Sequence, residues 1–411
     1  MLAGGGTGGH VYPALALADA LRRRDPGARV LFVGSASGME ASLVPRAGVP
    51  FAGLVVRPPR SRSIARTVLA LGTGAAGLVQ AAALVAGMRP DAVVATGGIA
   101  AAPPVLAAWV MRVPVVLLEG NAALGRTNSL LARFARAVAV TSDDASARVP
   151  GGRGLVTGLP VRPEVYSTPR GDGQRAFGLD PRRRTILVLG GSQGAKTLNA
   201  AVDDMAQRLS ARADLQVLHQ TGRGWNGTSR AAPAASSGTA GPREAAGGAG
   251  VEPRSPRDSA GSGAPGLRHI RVPYFEHIGM AYACADLVVS RCGATSIAEI
   301  TACGLPAVLV PYRHAAEGHQ KQNAVPLAVA SAAIVVADED LTGERLAAEV
   351  LEILDTPGRR DSMAARSRAL GRPDAAERVL ALLERLRLRP RGGRLSGEDL
   401  RSVSVSKGSR A

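Results

Sequence analysis

The sequence predicts an α/β protein made of two doubly wound domains, each with a parallel sheet. Three observations carry this reading. Short apolar runs alternate with stretches of helical period along most of the chain. The runs fall into two successive series, joined near Gly158–Pro163 by a Gly/Pro-rich link that continues to about Pro181. Each half carries a glycine turn at a strand end, GGGTGGH at residues 4–10 and GGSQGAKT at 190–197. The length of 411 residues suits two or three domains at about 100–200 residues each.

In order, the first series predicts strands at Val30–Val33, Ala92–Ala95, Val113–Leu117, Ala137–Val140 and Leu155–Thr157. The second predicts Thr185–Leu189, Leu215–His219, Leu267–Val272, Leu287–Ser290, Ala307–Val310 and Ala333–Val336. Helical stretches include Ala14–Arg23, Ala195–Leu209, Ser296–Ala302 and Leu341–Leu354, with Pro13 placed at the first helical position. The glycine loop starts at Gly4, so only Met1–Ala3 remain for the strand before it; a start upstream or a shortened central strand is expected. The domains are therefore drawn at 1–160 and 161–357, with C-terminal helices at 358–387 packing back on the first domain. Residues 227–266, rich in Ala, Gly, Ser and Pro, read as a disordered insert, and 388–411 as a disordered basic tail.

Hydrophobic residues make up 46% and charged residues 20%, which excludes wholesale disorder; with aromatics at 3%, the core must rest on Ala, Val, Leu and Ile. Cys284, Cys292 and Cys303 form no C-x-x-C pair, which excludes a disulfide framework; buried thiols are favoured over a zinc site shared with His314 and His319. The net charge is +17, but the insert region 223–271 holds seven Arg against three acids, and 385–411 eight bases against two acids. No interleaving of aromatic and basic residues supports a nucleic-acid partner. No secretory leader pattern is present, since the chain opens directly into the glycine loop. Residues 67–87 carry no charge but are mostly Ala and Gly, and Arg57, Arg60, Arg62 and Arg66 precede them. A helix of this kind packs in a core or lies on an anionic membrane surface rather than spanning the bilayer.

Three motifs carry chemistry. Gly4, Gly6 and Gly9 match G-x-G-x-x-G, but Val33 is followed by Gly34 and Ser35 instead of the acid that a dinucleotide ribose requires. What survives is a set of bare N–H groups at a helix start, with His10 beside them as a candidate base. GGSQGAKT has Ala195 where a phosphate-binding P-loop needs glycine, leaving a glycine turn that presents Ser192. RCGATSIAE (291–299) enters a helix whose N-terminal amides suit a diphosphate, with Glu299 one turn in to accept from ribose hydroxyls.

GGGTGGHVYPALALA, the E-G-N at 119–121, GLPVR at 158–162, GGSQGAKTLN at 190–199 and RCGATSIAEITACGLPAVLVPY at 291–312 together resemble the MurG family. The likeness spans roughly residues 2–386 outside the insert. It implies a GT-B fold, with two Rossmann-like domains facing across a cleft. It also implies inverting transfer of N-acetylglucosamine from UDP-GlcNAc to the muramoyl C4 hydroxyl of lipid I, giving lipid II, at the cytoplasmic face of the cell membrane. By this resemblance Thr7, Gly8 and Gly9 line the cleft, Asn121 bonds the sugar, and Arg162 and Ser192 meet the diphosphate end. Phe275 frames the uracil through its backbone. Ala294, Thr295, Ser296, Ile297, Ala298 and Glu299 hold phosphate and ribose, and Gln320 contacts sugar hydroxyls. No metal or other cofactor is implied, since fixed donors stabilise the leaving diphosphate.

The chain departs from the family pattern at GGIAAAP (97–103), where Ile99 replaces a tyrosine. It departs again at LEGN (118–121), where Leu118 and Gly120 replace polar residues, and at Cys292, where serine is common. Three competing readings are a related transferase with another acceptor, a UDP-sugar epimerase on a similar scaffold, and a polyanion-binding protein driven by charge.

Overall fold

The computed structural model describes residues 1–56, 64–191, 194–222, 224–225, 257–258, 266–315 and 318–387. The first half runs β1 (Leu2–Gly4), α1 (Gly8–Arg24), β2 (Phe32–Ser35), α2 (Glu40–Arg46), β3 (Phe51–Leu54), α3 (Ile64–Met88), β4 (Val93–Gly97), α4 (Ala102–Val110), β5 (Val115–Leu118), α5 (Arg126–Leu131), β6 (Ala137–Val140), α6 (Asp143–Ala147) and β7 (Gly154–Val156). Its strands pair in the order β3-β2-β1-β4-β5-β6-β7, all parallel.

The second half runs α7 (Pro163–Ser167), α8 (Arg170–Ala176), β8 (Arg184–Leu189), α9 (Lys196–Arg208), β9 (Leu215–Gln220), β10 (Arg257–Asp258), β11 (Arg268–Val272), α10 (Ile278–Cys284), β12 (Leu287–Ser290), α11 (Ala294–Cys303), β13 (Ala307–Leu309), α12 (His319–Val329), β14 (Ala333–Val335), α13 (Gly343–Asp355), α14 (Arg359–Leu370) and α15 (Ala375–Arg387). Its strand order is β10-β11-β9-β8-β12-β13-β14, parallel except for β10. Both sheets are doubly wound, and the order reverses beside β1 and beside β8. Loops leaving the strand ends at such a reversal splay apart and open a crevice.

The strands are nearly continuous apolar runs because helices cover both faces: Val115–Leu118, Ala137–Val140 and Leu287–Ser290 are buried throughout. The last helix returns to the first half. Val379, Leu380, Leu382 and Leu386 of α15 share a core with Leu15, Leu17 and Phe32. All three cysteines are free thiols, Cys284 and Cys292 fully buried, and burial pushes each up to about 12.

The strand before the first glycine loop is the shortened central strand of the two alternatives, three residues held between β2 and β4. Several expectations need correction. Pro13 is not the first helical residue. Helix α1 starts at Gly8 behind the N-cap Thr7, and Pro13 lies inside it, near enough the start to remove one hydrogen bond without breaking the helix. Phe51–Leu54 forms an edge strand that its exposed pattern concealed. Within the expected disordered insert, Arg257–Asp258 pairs antiparallel with β11. The rest of 227–266 except Gly266, the tail 388–411, and Arg57, Arg60 and Arg62 lie outside the described residues. Residues 67–87 belong to α3, whose Ala81 and Val85 are buried against the first half. Among the described residues no helix is long and apolar enough to cross a membrane.

Candidate active site

One crevice of about 840 Å³ lies where the strand ends of the two sheets face each other. From the first half it is lined by Thr7–His10, Gly97, Gly98 and the 119–128 segment; from the second by Arg162, Gly191, Tyr274–Glu276, Gly293–Ser296, Glu299 and Gln320. The glycines at 5 and 6 (φ +156° and +88°) let the chain turn from β1 into α1, whose N-cap Thr7 makes no side-chain cap. Across the crevice α11 starts at the N-cap Gly293, and no side chain caps it. Its first-turn amides therefore keep free donors, and its macrodipole favours an anion there. The two turns come close: a Cβ on Gly9 would lie 3.7 Å from Thr295 Oγ1. That hydroxyl is buried and finds no partner among the described residues.

Glu299 sits one turn into α11. Its Oε2 accepts from the Tyr282 hydroxyl at 3.0 Å, while the side chain stays partly open to the crevice. Burial pushes its carboxyl up to about 7, against the opposing pull of that hydroxyl and of Arg162. Arg162 precedes Pro163 at the N-cap of α7; its guanidinium lies 5.3 Å from the centre of the Tyr12 ring and 3.1 Å from Glu164. It is a half-buried cation aimed at the same space as the α11 amides.

His10 Nδ1 lies 2.9 Å from the Gly5 carbonyl and 3.3 Å from Thr7 Oγ1. A carbonyl only accepts, which assigns the proton of the neutral ring to Nδ1 and leaves Nε2 with a lone pair.

Asn121 is held at both ends: its Nδ2 donates to Glu119 at 2.9 Å, and its Oδ1 accepts from Asn323 at 3.2 Å. The carboxylate of Glu119 is buried and takes four donors, the N–H groups of Asn121 and Gly125 and the amides of Asn121 and Asn128. It organises the whole 119–128 segment.

The expected site residues Thr7, Gly8, Gly9, His10, Asn121, Arg162, Phe275, Ala294, Thr295, Ser296, Glu299 and Gln320 all border the crevice. Ile297 and Ala298 do not. The helical turn carries them away from it, into the packing between the halves and onto a second cavity of about 250 Å³. Ser192 lies outside the described residues. Gln320 spends its Oε1 on the N–H groups of Cys292 and Tyr312, so only its amide donors remain for a ligand. Sequence reasoning missed Glu40, Tyr12, Tyr274, Tyr282, Asn128 and Asn323. Tyr12 stands inside GGGTGGHVYPALALA and the others outside the glycine motifs; each matters through a side-chain contact that its own neighbours in the chain do not announce.

A cleft between two doubly wound halves, with an anion-binding helix start facing a histidine-bearing glycine loop, defines a two-domain glycosyltransferase. The comparisons with known proteins agree. The family model for the glycosyltransferase family 28 N-terminal domain matches residues 1–140, and that for the C-terminal domain matches 185–240 and 245–379. The chain is 40% identical over 394 residues to the UDP-N-acetylglucosamine–N-acetylmuramyl-(pentapeptide) pyrophosphoryl-undecaprenol N-acetylglucosamine transferase of Moorella thermoacetica, covering 93% of this chain and 97% of that one. It is 37% identical to the enzyme of the same name from Desulforudis audaxviator, with coverage of 94% and 98%. A crystal structure of MurG from Acinetobacter baumannii superposes with a TM-score of 0.66 at 26% identity, covering 94% of this chain and 98% of that one. The chain belongs to glycosyltransferase family 28 and, within it, to the MurG family.

Proposed function

We propose that this protein transfers N-acetylglucosamine from UDP-GlcNAc to the C4 hydroxyl of the N-acetylmuramyl sugar of lipid I, forming lipid II and UDP. One observation supports it above the rest: the α11 start with Glu299 and the glycine loop with His10 line opposite walls of a single crevice. The nucleotide belongs on the second wall. The amides of Ala294, Thr295 and Ser296 and the Arg162 guanidinium take the diphosphate, Glu299 the ribose hydroxyls, and the backbone about Phe275 the uracil. Ser192 joins the diphosphate set. Asn121 presents a donor and an acceptor, and Gln320 its amide donors, to the transferred sugar, whose C1 then faces Thr7–His10.

The acceptor enters from the first half. His10 Nε2 takes the C4 hydroxyl proton as that oxygen bonds to C1 from the face opposite the diphosphate. The C1–O bond breaks, its electron pair leaves on UDP, and the configuration at C1 inverts. Negative charge grows on the diphosphate during the step, and donors already fixed around it lower the barrier; losing one typically costs about 10²–10³-fold in rate.

The acceptor's polyprenyl chain requires contact with the membrane. Trp109 (52% exposed) and Val110 (69%) end α4, and Val79 (71%) stands on α3, which packs against it. With Arg112 following in the chain and Arg133 lying over the Phe134 ring that Trp109 packs on, this face supports peripheral binding to an anionic surface at the cytoplasmic side, serving peptidoglycan synthesis and hence cell shape and division.

The test is to incubate the protein with UDP-GlcNAc and either lipid I, diacylglycerol or no acceptor. A mass increase of one N-acetylhexosamine on lipid I alone, with one UDP released per product, is the expected result. Glycosylated diacylglycerol would indicate another acceptor, and sugar or UDP turnover without acceptor would indicate epimerase chemistry.

A further inference from the structure

We propose that Glu40 is a positioning residue for the transfer step: through one peptide group it fixes the orientation of His10. The proposal rests on the reading of His10 as the proton acceptor. Glu40 is the first residue of α2 and does not line the crevice. It is fully buried and has no ion-pair partner among the described residues. A buried carboxylate is costly unless its oxygens are hydrogen-bonded, and here both are. Oε2 accepts from the Gly6 N–H at 3.0 Å and Oε1 from the Ser35 N–H at 2.9 Å.

The surroundings are cut to fit this carboxylate. A Cβ on Gly5 or Gly38 would lie 1.9 Å or 2.3 Å from Oε1, and one on Gly34 would lie 2.6 Å from Cγ. Neither Gly34 nor Gly38 has a left-handed φ, so at these two positions the missing side chain serves space and not backbone conformation.

The decisive geometry is that the Gly6 N–H and the Gly5 C=O belong to one planar peptide group. Glu40 holds its N–H end, and its C=O end holds His10 Nδ1 at 2.9 Å. A carboxylate accepting at the N–H also polarises the carbonyl at the far end and strengthens its bond to the ring. Rotation of this peptide breaks both bonds together. With glycine on either side, the backbone itself offers little resistance to that rotation.

The test is a double-mutant cycle between Glu40→Gln and His10→Ala, read as lipid II formation at saturating substrates, with UDP affinity measured by calorimetry. The amide keeps the shape but turns an NH₂ toward one of the two backbone donors. Glu40→Gln is expected to lower turnover by about 10²-fold, the scale of a misplaced catalytic group, with UDP affinity unchanged. In the His10→Ala background the same change is expected to cost less than about twofold, because its route of action is gone. An equal cost in both backgrounds would overturn the proposal while leaving His10 its role. Wild-type turnover by His10→Ala alone would instead refute the reading of His10, and the proposal with it. If Glu40→Gln fails to bind UDP, Glu40→Asp, which keeps the charge and retracts the oxygens, goes through the same cycle. Loss of UDP binding in both variants would make Glu40 a folding residue and overturn the proposal.

Discussion

At the residue scale Glu299 carries the sharpest consequence. The sequence shows it as the acid one turn into RCGATSIAE. Its chemistry depends on Tyr282, which donates to it from α10 and cannot be picked out from the motif. Burial raises the carboxyl from 4.5 to about 7, so the empty protein keeps much of it neutral at neutral pH. In the proposed complex the ribose hydroxyls donate to the ionised form, so nucleotide binding would pull the proton off. UDP affinity is therefore expected to rise as pH increases through about 7, and binding at about pH 6.5 is expected to release protons, seen as a calorimetric heat that varies with the buffer's ionisation enthalpy. Glu299→Gln should remove the enzyme's share of the proton release, leaving only that of the UDP terminal phosphate, and weaken UDP by roughly 10–100-fold, the worth of a charge-assisted hydrogen bond. Binding without proton exchange in the wild type would contradict the assignment. Gln320 shows the opposite limit: the family resemblance implied a sugar contact, yet half of its side chain serves two backbone N–H groups.

At the scale of elements, parallel strands were legible because burial on both faces makes them unbroken apolar runs. Ala137–Val140 and Leu287–Ser290 fall where the pattern puts them. The edge strand Phe51–Leu54 and the short β10 were not, since an edge has one open side and β10 is defined only by its pairing with β11. Strands β9 and β11 also bury a histidine pair that no motif announces. His219 Nδ1 lies 3.3 Å from His269 Nε2, and His219 Nε2 lies 3.1 Å from Asn199 Oδ1. Burial, helped by the adjacent Arg271, holds His219 well below the usual value and His269 down to about 3. Both are neutral in the fold and take up protons on unfolding once the pH drops below about 6.5. Stability is therefore full above that pH and falls as it is lowered toward 3, by up to about 1.4 kcal/mol per pH unit for each histidine. Urea unfolding at several pH values should show this slope, and His269→Gln should flatten it; an unchanged slope would contradict the account.

At the scale of the whole molecule, the motifs pointed to two helix starts suited to an anion, at 4–10 and 291–299, but their spacing alone did not show that they face each other. That depends on pairs far apart in sequence. The Tyr12 and Tyr274 hydroxyls meet at 2.7 Å, and Asn323 accepts from the Ala122 N–H at 2.8 Å while donating to Asn121. The return of α15 onto α1 adds a further tie across the halves. The apolar face on α3 and α4 was legible only as the uncharged run 67–87; Trp109 and Val110 come from outside it. Replacing Trp109 and Val110 together by serine should weaken binding to phosphatidylglycerol vesicles by about tenfold or more while leaving UDP affinity unchanged. Equal vesicle binding would place the membrane contact elsewhere. The central claim is that nucleotide grip and proton transfer reside on opposite walls of one crevice. Calorimetric titration of UDP into wild type, Glu299→Gln and His10→Ala tests it most directly. The account predicts one site per chain, weakened by Glu299→Gln and preserved in His10→Ala despite its lost turnover; no heat at about millimolar UDP, or equal weakening by both substitutions, would contradict it.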